Sequence, residues 1–303
     1  MKATDVLDRL FRAIHRRLSP QARNALRTWL VLEERDRMPQ PITRFDEARV
    51  LVLAPHSDDE VLGCGGVIAR HVASGAVLDV AYLTDGRWGD GKLFDPALPA
   101  RLKALLQREL VLTRQREARE ACSILGGCAL HFLNRPDSRL QPDKVTVQAL
   151  RDMLTALQPQ LVYLPFVYDM HEDHWQTNRA FAAAAADLPF ELSRSLQVRG
   201  YEVWTPLLAN RVADISDVMP LKLRALACFK SQLVDQDYRH IISGLNAFRS
   251  NGEFGGQGYA EAFHELPLAA YLRLVDASAL RGSPLPKNVG VTAPRGWAVK
   301  AGA

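Results

Sequence analysis

From residue 49 onward the chain alternates short apolar runs with longer amphipathic stretches. Residues 49–54 (R-V-L-V-L-A) are almost continuously apolar, which is the pattern of a strand covered on both faces in a parallel sheet. Residues 77–84, 129–133 and 161–165 (L-V-Y-L-P) repeat it. Between these runs the spacing predicts helices: one ending near Ser74-Gly75, a long one over 100–126 closed by Gly126-Gly127, and one over 144–157 that stops before Pro159. A further helix is predicted over 174–187, strands around 197–204 and 211–215, and a helix over 217–232. Strands alternating with helices through crossovers of this length predict an α/β fold, a mostly parallel sheet with helices on both faces. Residues 235–264 carry Gly244, Gly252, Gly255, Gly256 and Gly258 and read as loop-rich. Residues 276–303, rich in Pro, Gly, Ser and Ala, read as a loose tail.

The start of the chain has a different pattern. Leu7, Leu10, Phe11, Ile14 and Leu18 fall on one helical face, and Ser19-Pro20 opens a second helix through Trp29. Arg9, Arg12, Arg16, Arg17, Arg23 and Arg27 occupy the polar sides. Two readings stand: peripheral contact with an anionic membrane surface, or a helix packed on the domain with its basic face in water. The expected organisation is a basic helical extension over 1–47, one domain over 48–275 and the tail over 276–303.

Composition narrows the class. Of 303 residues 48% are hydrophobic and 24% charged, enough apolar surface to exclude disorder along the whole chain. The net charge of +4 is too small to point to nucleic acid. The four cysteines form no C-x-x-C pair, so a disulfide scaffold is not expected and a reducing, cytoplasmic setting is. No apolar stretch is long enough to span a membrane. Asp5, Asp8, Arg9 and Arg12 would interrupt the apolar core of a secretory signal.

Two clusters carry the chemistry. Pro55-His56-Ser57-Asp58-Asp59-Glu60 begins where the first strand ends. Three acids and a histidine in five residues concentrate charge that a cation would relieve, and imidazole and carboxylate are natural zinc ligands. Gly63, Gly65 and Gly66 follow inside a predicted helix, where each costs about 1 kcal/mol relative to Ala; close backbone approach at the site is the expected reason. The second cluster, Asp169-Met170-His171-Glu172-Asp173-His174, follows the fourth strand. Open α/β sheets bind ligands at the carboxyl ends of their strands. In the strand order 3-2-1-4 the first and fourth strands are neighbours, so His56 and His171 would meet in one crevice. The plainer explanation, Ser57 or Asp58 as a helix cap, leaves the second cluster unexplained. The glycines after the first strand do not form a dinucleotide fingerprint.

These motifs together make the chain resemble the PIG-L/LmbE-like metal-dependent de-N-acetylases, over about residues 48–265. The A-H-P-D-D-E of that family matches Pro55-His56-Ser57-Asp58-Asp59-Glu60 with Ala54 before it. Its T-D-G matches Thr84-Asp85-Gly86, and its H-P-D-H matches His171-Glu172-Asp173-His174. Arg114, Glu117, Ala121, Leu125-Gly126, Lys222, Ser231-Gln232 and residues 259–263 also fit. Ser57 and Glu172 each replace a proline of the family pattern.

The resemblance implies a Rossmann-like three-layer sandwich with a metal site at the carboxyl ends of strands one and four. It implies His56, Asp59 and His174 as metal ligands and Asp58 as the general base that takes a proton from the metal-bound water. His171 would stabilise the oxyanion or protonate the leaving amine, and Asp173 would hold His171 in its tautomer. Three protein ligands leave a position open, as catalytic zinc requires; His and carboxylate donors also suit iron(II). The implied substrate is a small-molecule or lipid-linked N-acetylglucosamine conjugate. Arg87, Trp88 and Tyr168 are the substrate-contact candidates, with Trp175, Arg239, Asn246, Arg249 and Tyr259 as further loop candidates, and residues 235–264 are a candidate specificity lid. The competing reading is a non-catalytic sugar- or nucleotide-binding module on the same fold.

Overall fold

The structure is a computed structural model and describes residues 38–234 and 236–279. The basic helices expected before residue 38 lie outside the described residues, as does the tail beyond 279. Strands β2 (Arg49–Ala54), β3 (Val77–Thr84), β4 (Ala129–Arg135), β5 (Leu161–Pro165) and β6 (Gln197–Tyr201) run parallel in the order β4-β3-β2-β5-β6. This is the order that makes β2 and β5 neighbours. Val52 of β2 pairs with Val80 on one side and Tyr163 on the other.

Helices α1 (Asp59–Ala73), α2 (Ala100–Ile124), α3 (Lys144–Leu157) and α4 (Glu172–Ala185) follow β2, β3, β4 and β5 in turn. Beyond a short α5 (Phe190–Ser195) come α6 (Met219–Leu226), α7 (Tyr238–Arg249) and α8 (Leu268–Ala279). Because side chains alternate along a strand, β2 feeds two cores. Val50, Val52 and Ala54 pack with α1, α2, α6 and α7, whereas Leu51 and Leu53 pack with α3, α4 and α8. Burying each such Leu contributes about 1.5–3 kcal/mol, which is why the run carries no polar residue after Arg49. Among the described residues no helix is long and apolar enough to cross a membrane.

The far side of the sheet departs from expectation. Residues 235–264 are not mainly loop: they contain α7 and the start of β8 (Ala260–Pro267), which lies antiparallel between β6 and β7 (Arg211–Asp214). Gly244 sits inside α7, where Asp237 caps the first turn by accepting from His240 N. Within 38–47, expected to be helical, Gln40–Pro41 form β1, parallel to β7 at the sheet edge. Helix α8 runs through to Ala279, into the segment expected to be tail. Cys122 and Cys128, six residues apart with Cα atoms 5.9 Å apart, are joined across the Gly126-Gly127 turn. That is a local clasp and not a scaffold; Cys64 and Cys228 are free and buried.

Helix α1 is broken at Cys64, whose backbone leaves the helical region (φ −147°, ψ 22°). The freed backbone groups are taken over by one buried ion pair. Glu261 of β8 accepts from Gly66 N and Val67 N, both at 2.8 Å. Lys222 of α6 donates to Leu62 O at 2.9 Å, to Asn246 Oδ1 at 3.0 Å and to Glu261 at 2.7 Å. A negative group thus caps the start of the second half-helix and a positive group the end of the first, which matches the helix dipole at both ends. The glycines at the break also find their reason here and not at the ligand site. A Cβ on Gly63 would lie 2.1 Å from the Tyr201 ring, and one on Gly66 2.5 Å from Ile215.

Candidate active site

The carboxyl ends of β2, β3, β4, β5 and β6 open on one cavity of ≈ 310 Å³, lined at its inner end by His56, Asp58, Asp59, Arg114, Asp137 and His171. β2 leads directly into the first motif, and Asp59 begins α1. Asp59 Oδ2 accepts from His56 N at 2.8 Å and lies 3.2 Å from His56 Nδ1 and 3.2 Å from His174 Nε2. The two motifs therefore meet on one carboxylate oxygen. His174 is fully buried, and although its Nδ1 lies 3.2 Å from Asp169 Oδ1, neither ring nitrogen makes a hydrogen bond of proper geometry.

Both imidazoles share one layout. His56 turns Nδ1 to Asp59 and Nε2 to Asp173 (3.2 Å) and Asp137 (3.3 Å); His174 turns Nε2 to Asp59 and Nδ1 to Asp169. A carboxylate behind the second nitrogen is the usual support of a metal-ligating histidine. His56, Asp59 and His174 offer the imidazole and carboxylate donors that suit a divalent cation, linked through the Asp59 oxygen. The groups whose donor atoms all lie within 4.8 Å of one another are His56, His171 and His174, and His56, Asp137 and Asp173.

The acids demand positive charge at the two rings. Burial pulls His56 down, but the carboxylates of Asp137, Asp173 and Asp59 outweigh it and hold it well above its usual range. For His174 burial is likewise overcome, chiefly by Asp59 and Asp169, and its pKa is pushed up to about 9. Asp59 is buried, yet His174 and His56 hold it well below the carboxylate range.

Asp58 stands apart. Its backbone has φ 138° and ψ −27°, a region that costs a non-glycine residue about 1–3 kcal/mol. Its Oδ1 accepts from Arg114 Nη2 at 3.2 Å, and the same nitrogen holds Ser57 O at 2.9 Å. Burial raises the Asp58 pKa to about 7 against the pull of Arg114. Glu60 is also raised by burial, to about 8, and is held by the Tyr82 hydroxyl at 2.7 Å.

His171 caps α4: its Nδ1 accepts from Asp173 N at 3.1 Å. Nδ1 is thereby the acceptor, and Nε2 carries the hydrogen. Burial, then repulsion by His56 and His174, lowers its pKa to about 4. The expected role of Asp173 changes accordingly. Its carboxylate accepts from Ser138 N (2.7 Å) and Leu140 N (3.1 Å) and meets His56 Nε2; the tautomer of His171 is set by the backbone of Asp173, not its side chain.

Of the substrate candidates, Trp88 lines the cavity, stacked on Phe94 with centroids 5.5 Å apart. Arg87 does not line it: its guanidinium is bound to Asp85, with Nε at 2.8 Å. Tyr168 packs edge-on against Phe166 at 5.5 Å, away from the cavity lining. Arg249 is spent on Glu202 and Leu207 O, and Asn246 on Lys222. The sequence reading missed Asp137, Ser138, Phe94, Trp204, Gln236 and Tyr238, all in the lining. It gave Asp169 no role. A usable signal for Asp169 was its place five residues before a histidine that needs a carboxylate at its second nitrogen.

Known proteins resemble the chain in sequence and in fold. Residues 51–185 match the PIG-L family model, described as GlcNAc-PI de-N-acetylase. Diacetylchitobiose deacetylase of Thermococcus kodakarensis is 30% identical over 242 residues, covering 73% of this chain and 84% of that protein. The structure of N,N'-diacetylchitobiose deacetylase from Pyrococcus horikoshii superposes with a TM-score of 0.62 at 27% identity, over 80% of this chain and 92% of that one. A relative with a different activity, 4-oxalmesaconate hydratase of Pseudomonas putida, is 29% identical over 200 residues, 60% of this chain and 73% of that protein. With its two motifs joined at one strand-end cavity, the chain belongs to the PIG-L/LmbE-like deacetylase family.

Proposed function

We propose that the protein is a metal-dependent N-deacetylase that removes the acetyl group from an N-acetylglucosamine-type conjugate. The observation that carries this reading is the meeting of His56, Asp59 and His174 on one carboxylate oxygen, beside Asp58 and His171 on the same cavity. The named deacetylases among its relatives support it.

Bound by His56, Asp59 and His174, a zinc or iron(II) ion would polarise the acyl carbonyl and make water more acidic. Asp58, held by Arg114 in a strained backbone conformation, accepts the proton of the attacking water as its oxygen bonds to the acyl carbon. His171, with hydrogen on Nε2, donates to the oxygen on which negative charge develops. As the C–N bond breaks, the nitrogen takes the proton that Asp58 received from the water, and the amine leaves together with the acid, which ionises to acetate. Asp173 is a positioning residue that fixes His56 and the Asp137–Leu140 loop.

Asp58→Asn tests the assignment. Acetate release from N-acetylglucosamine conjugates should fall about 10²–10⁴-fold while metal content is retained. Undiminished turnover would remove Asp58 as the base. Metal retention in the wild type with no acetate release from any amide would favour the hydration chemistry named for the Pseudomonas relative, or a binding module.

A further inference from the structure

A helix that opens on an aspartate ordinarily turns that carboxylate back onto the amides of its first turn. Helix α1 does not. Asp58 stands at its N-cap position, yet its side chain makes no cap hydrogen bond. With φ at 138°, the carboxylate is bound instead to Arg114 Nη2, and Asp58 lines the cavity. A non-glycine residue stays in that region only when its surroundings hold it there. The backbone oxygen of Asp58 is taken by the first turn of α1, from Val61 N at 3.0 Å and Leu62 N at 2.9 Å. Its backbone N–H is taken by a side chain: it donates to Glu60 Oε2 at 3.1 Å. The other oxygen of Glu60 accepts from the Tyr82 hydroxyl at 2.7 Å. Tyr82, on β3, is fully buried and stacks on Phe132 of β4, with centroids 5.0 Å apart and planes at 18°.

In an ordinary capping box the exchange is reciprocal. The cap side chain bonds to an amide of the helix, and an acid of the first turn bonds back to the cap N–H. Here only the return half is made, by Glu60, one position earlier than the acid of an ordinary box. The Asp58 carboxylate is left for the cavity. From this half-made box, and resting on the deacetylase reading above, we infer that Glu60 is a positioning residue for the catalytic base. Anchored to the sheet by Tyr82, it fixes the backbone of Asp58 so that the carboxylate faces the cavity instead of capping α1. Glu60 is 3% exposed and lies outside the cavity lining, so it acts through Asp58 and not on the substrate. A buried carboxyl is costly unless its oxygens are hydrogen-bonded. An apolar side chain would fill the same space at lower cost but would release Asp58 N.

The test measures acetate release from N-acetylglucosamine conjugates by full-length, zinc-loaded protein. Glu60→Met, similar in length but without an acceptor, should lower kcat about 10²-fold, the scale of a group displaced by about 1 Å. KM and one-to-one zinc binding should not change. Glu60→Gln should restore most of the loss, because its amide oxygen still accepts from Asp58 N while its amide nitrogen donates to the Tyr82 oxygen. Tyr82→Phe should lower kcat about two- to tenfold, the range of one neutral hydrogen bond. Added to Asp58→Asn, Glu60→Met should lower the residual rate no further, because both changes act on one group. Should Glu60→Met not fold, Tyr82→Phe takes its place in this cycle. A crystal structure of Glu60→Met should show Asp58 with a negative φ and its carboxylate on the first-turn amides of α1. Equal losses with Asp58 intact or replaced, a change confined to KM, or an unmoved Asp58 backbone would overturn the inference and leave Glu60 as a strut between β3 and α1. The crystal structure also separates the two readings. A relaxed Asp58 in Glu60→Met, with no acetate release by the wild type, removes the hydrolase and keeps the brace. Acetate release that is lost in Asp58→Asn, with an unmoved Asp58 in Glu60→Met, does the reverse.

Discussion

Helix α1 meets two buried ionic clusters, one at its break and one at its head, that differ in completeness. At its break, Lys222 and Glu261 are 0% and 1% exposed, and each is matched to specific partners: Lys222 donates three hydrogen bonds and Glu261 closes two backbone amides. At its head, His174 is equally buried but neither ring nitrogen makes a proper hydrogen bond, and Asp58 holds an unfavourable backbone angle. Both clusters bring charge out of water, which is costly unless paired and hydrogen-bonded. The finished cluster holds a broken helix in place. The unfinished one leaves both ring nitrogens of His174 without a hydrogen bond, as the proposed metal site requires. Completeness, more than charge or burial, separates a structural ion pair from a site.

The comparison breaks first at Lys222. Lys222→Met leaves Glu261 buried without its cation and should cost about 3–5 kcal/mol in urea unfolding. His174→Ala, made in metal-free protein, also removes a positive charge facing the buried Asp59 and Asp169, so the readout that separates the clusters is metal binding, which should be lost in folded His174→Ala and kept in folded Lys222→Met. Metal binding lost equally in both, or kept in both, would mean that the two clusters do the same job. Next comes Gly63→Ala, which places a Cβ against Tyr201 and should cost about 1–3 kcal/mol by overpacking, with α1 shifted and metal affinity reduced.

An effect spread over several pH units appears at a third buried group. Burial, with the nearby Arg199 charge, lowers the His71 pKa to about 3 from its usual 6.5. The unfolded chain protonates this histidine below pH ~6.5 and the folded chain does not until near its own value. Its contribution is therefore fully present above pH ~6.5 and is lost at up to ~1.4 kcal/mol per pH unit as pH falls from there towards 3. His71→Phe should flatten that part of the stability profile, and an unchanged slope would show that other groups set it.

The parallel half of the fold was legible because its signals are local. β2 and β5 are apolar runs whose ends carry the motifs, and α3 runs over Lys144–Leu157 and stops before Pro159 as the spacing predicts. The far half was legible only in part: β7 and α6 fall within the expected strand and helix, whereas α7 and β8 lie in the segment expected to be loop-rich. β8 contains Glu261, His264 and Glu265, whose partners come from elsewhere in the chain: Lys222 for Glu261, Leu208 O for His264, and Arg199 and Arg211 for Glu265. The site divides the same way. His56, Asp58, Asp59, His171, Asp173 and His174 sit in two short motifs and are all brought to one place. The roles of Asp137 and of the Asp173 carboxylate depend on contacts to His56 from 81 and 117 residues away, beyond the reach of any spacing rule. Arg87 failed as a substrate contact because Asp85, two residues earlier, takes its charge.

The central claim, that His56, Asp59 and His174 form one metal site, is tested most directly by calorimetric titration of zinc into metal-stripped protein, with His174→Ala as the control. One tight site per chain, lost in His174→Ala, is the expected result. Weak, non-stoichiometric binding, or binding that survives His174→Ala unchanged, would contradict the account and return these side chains to loop and cap roles.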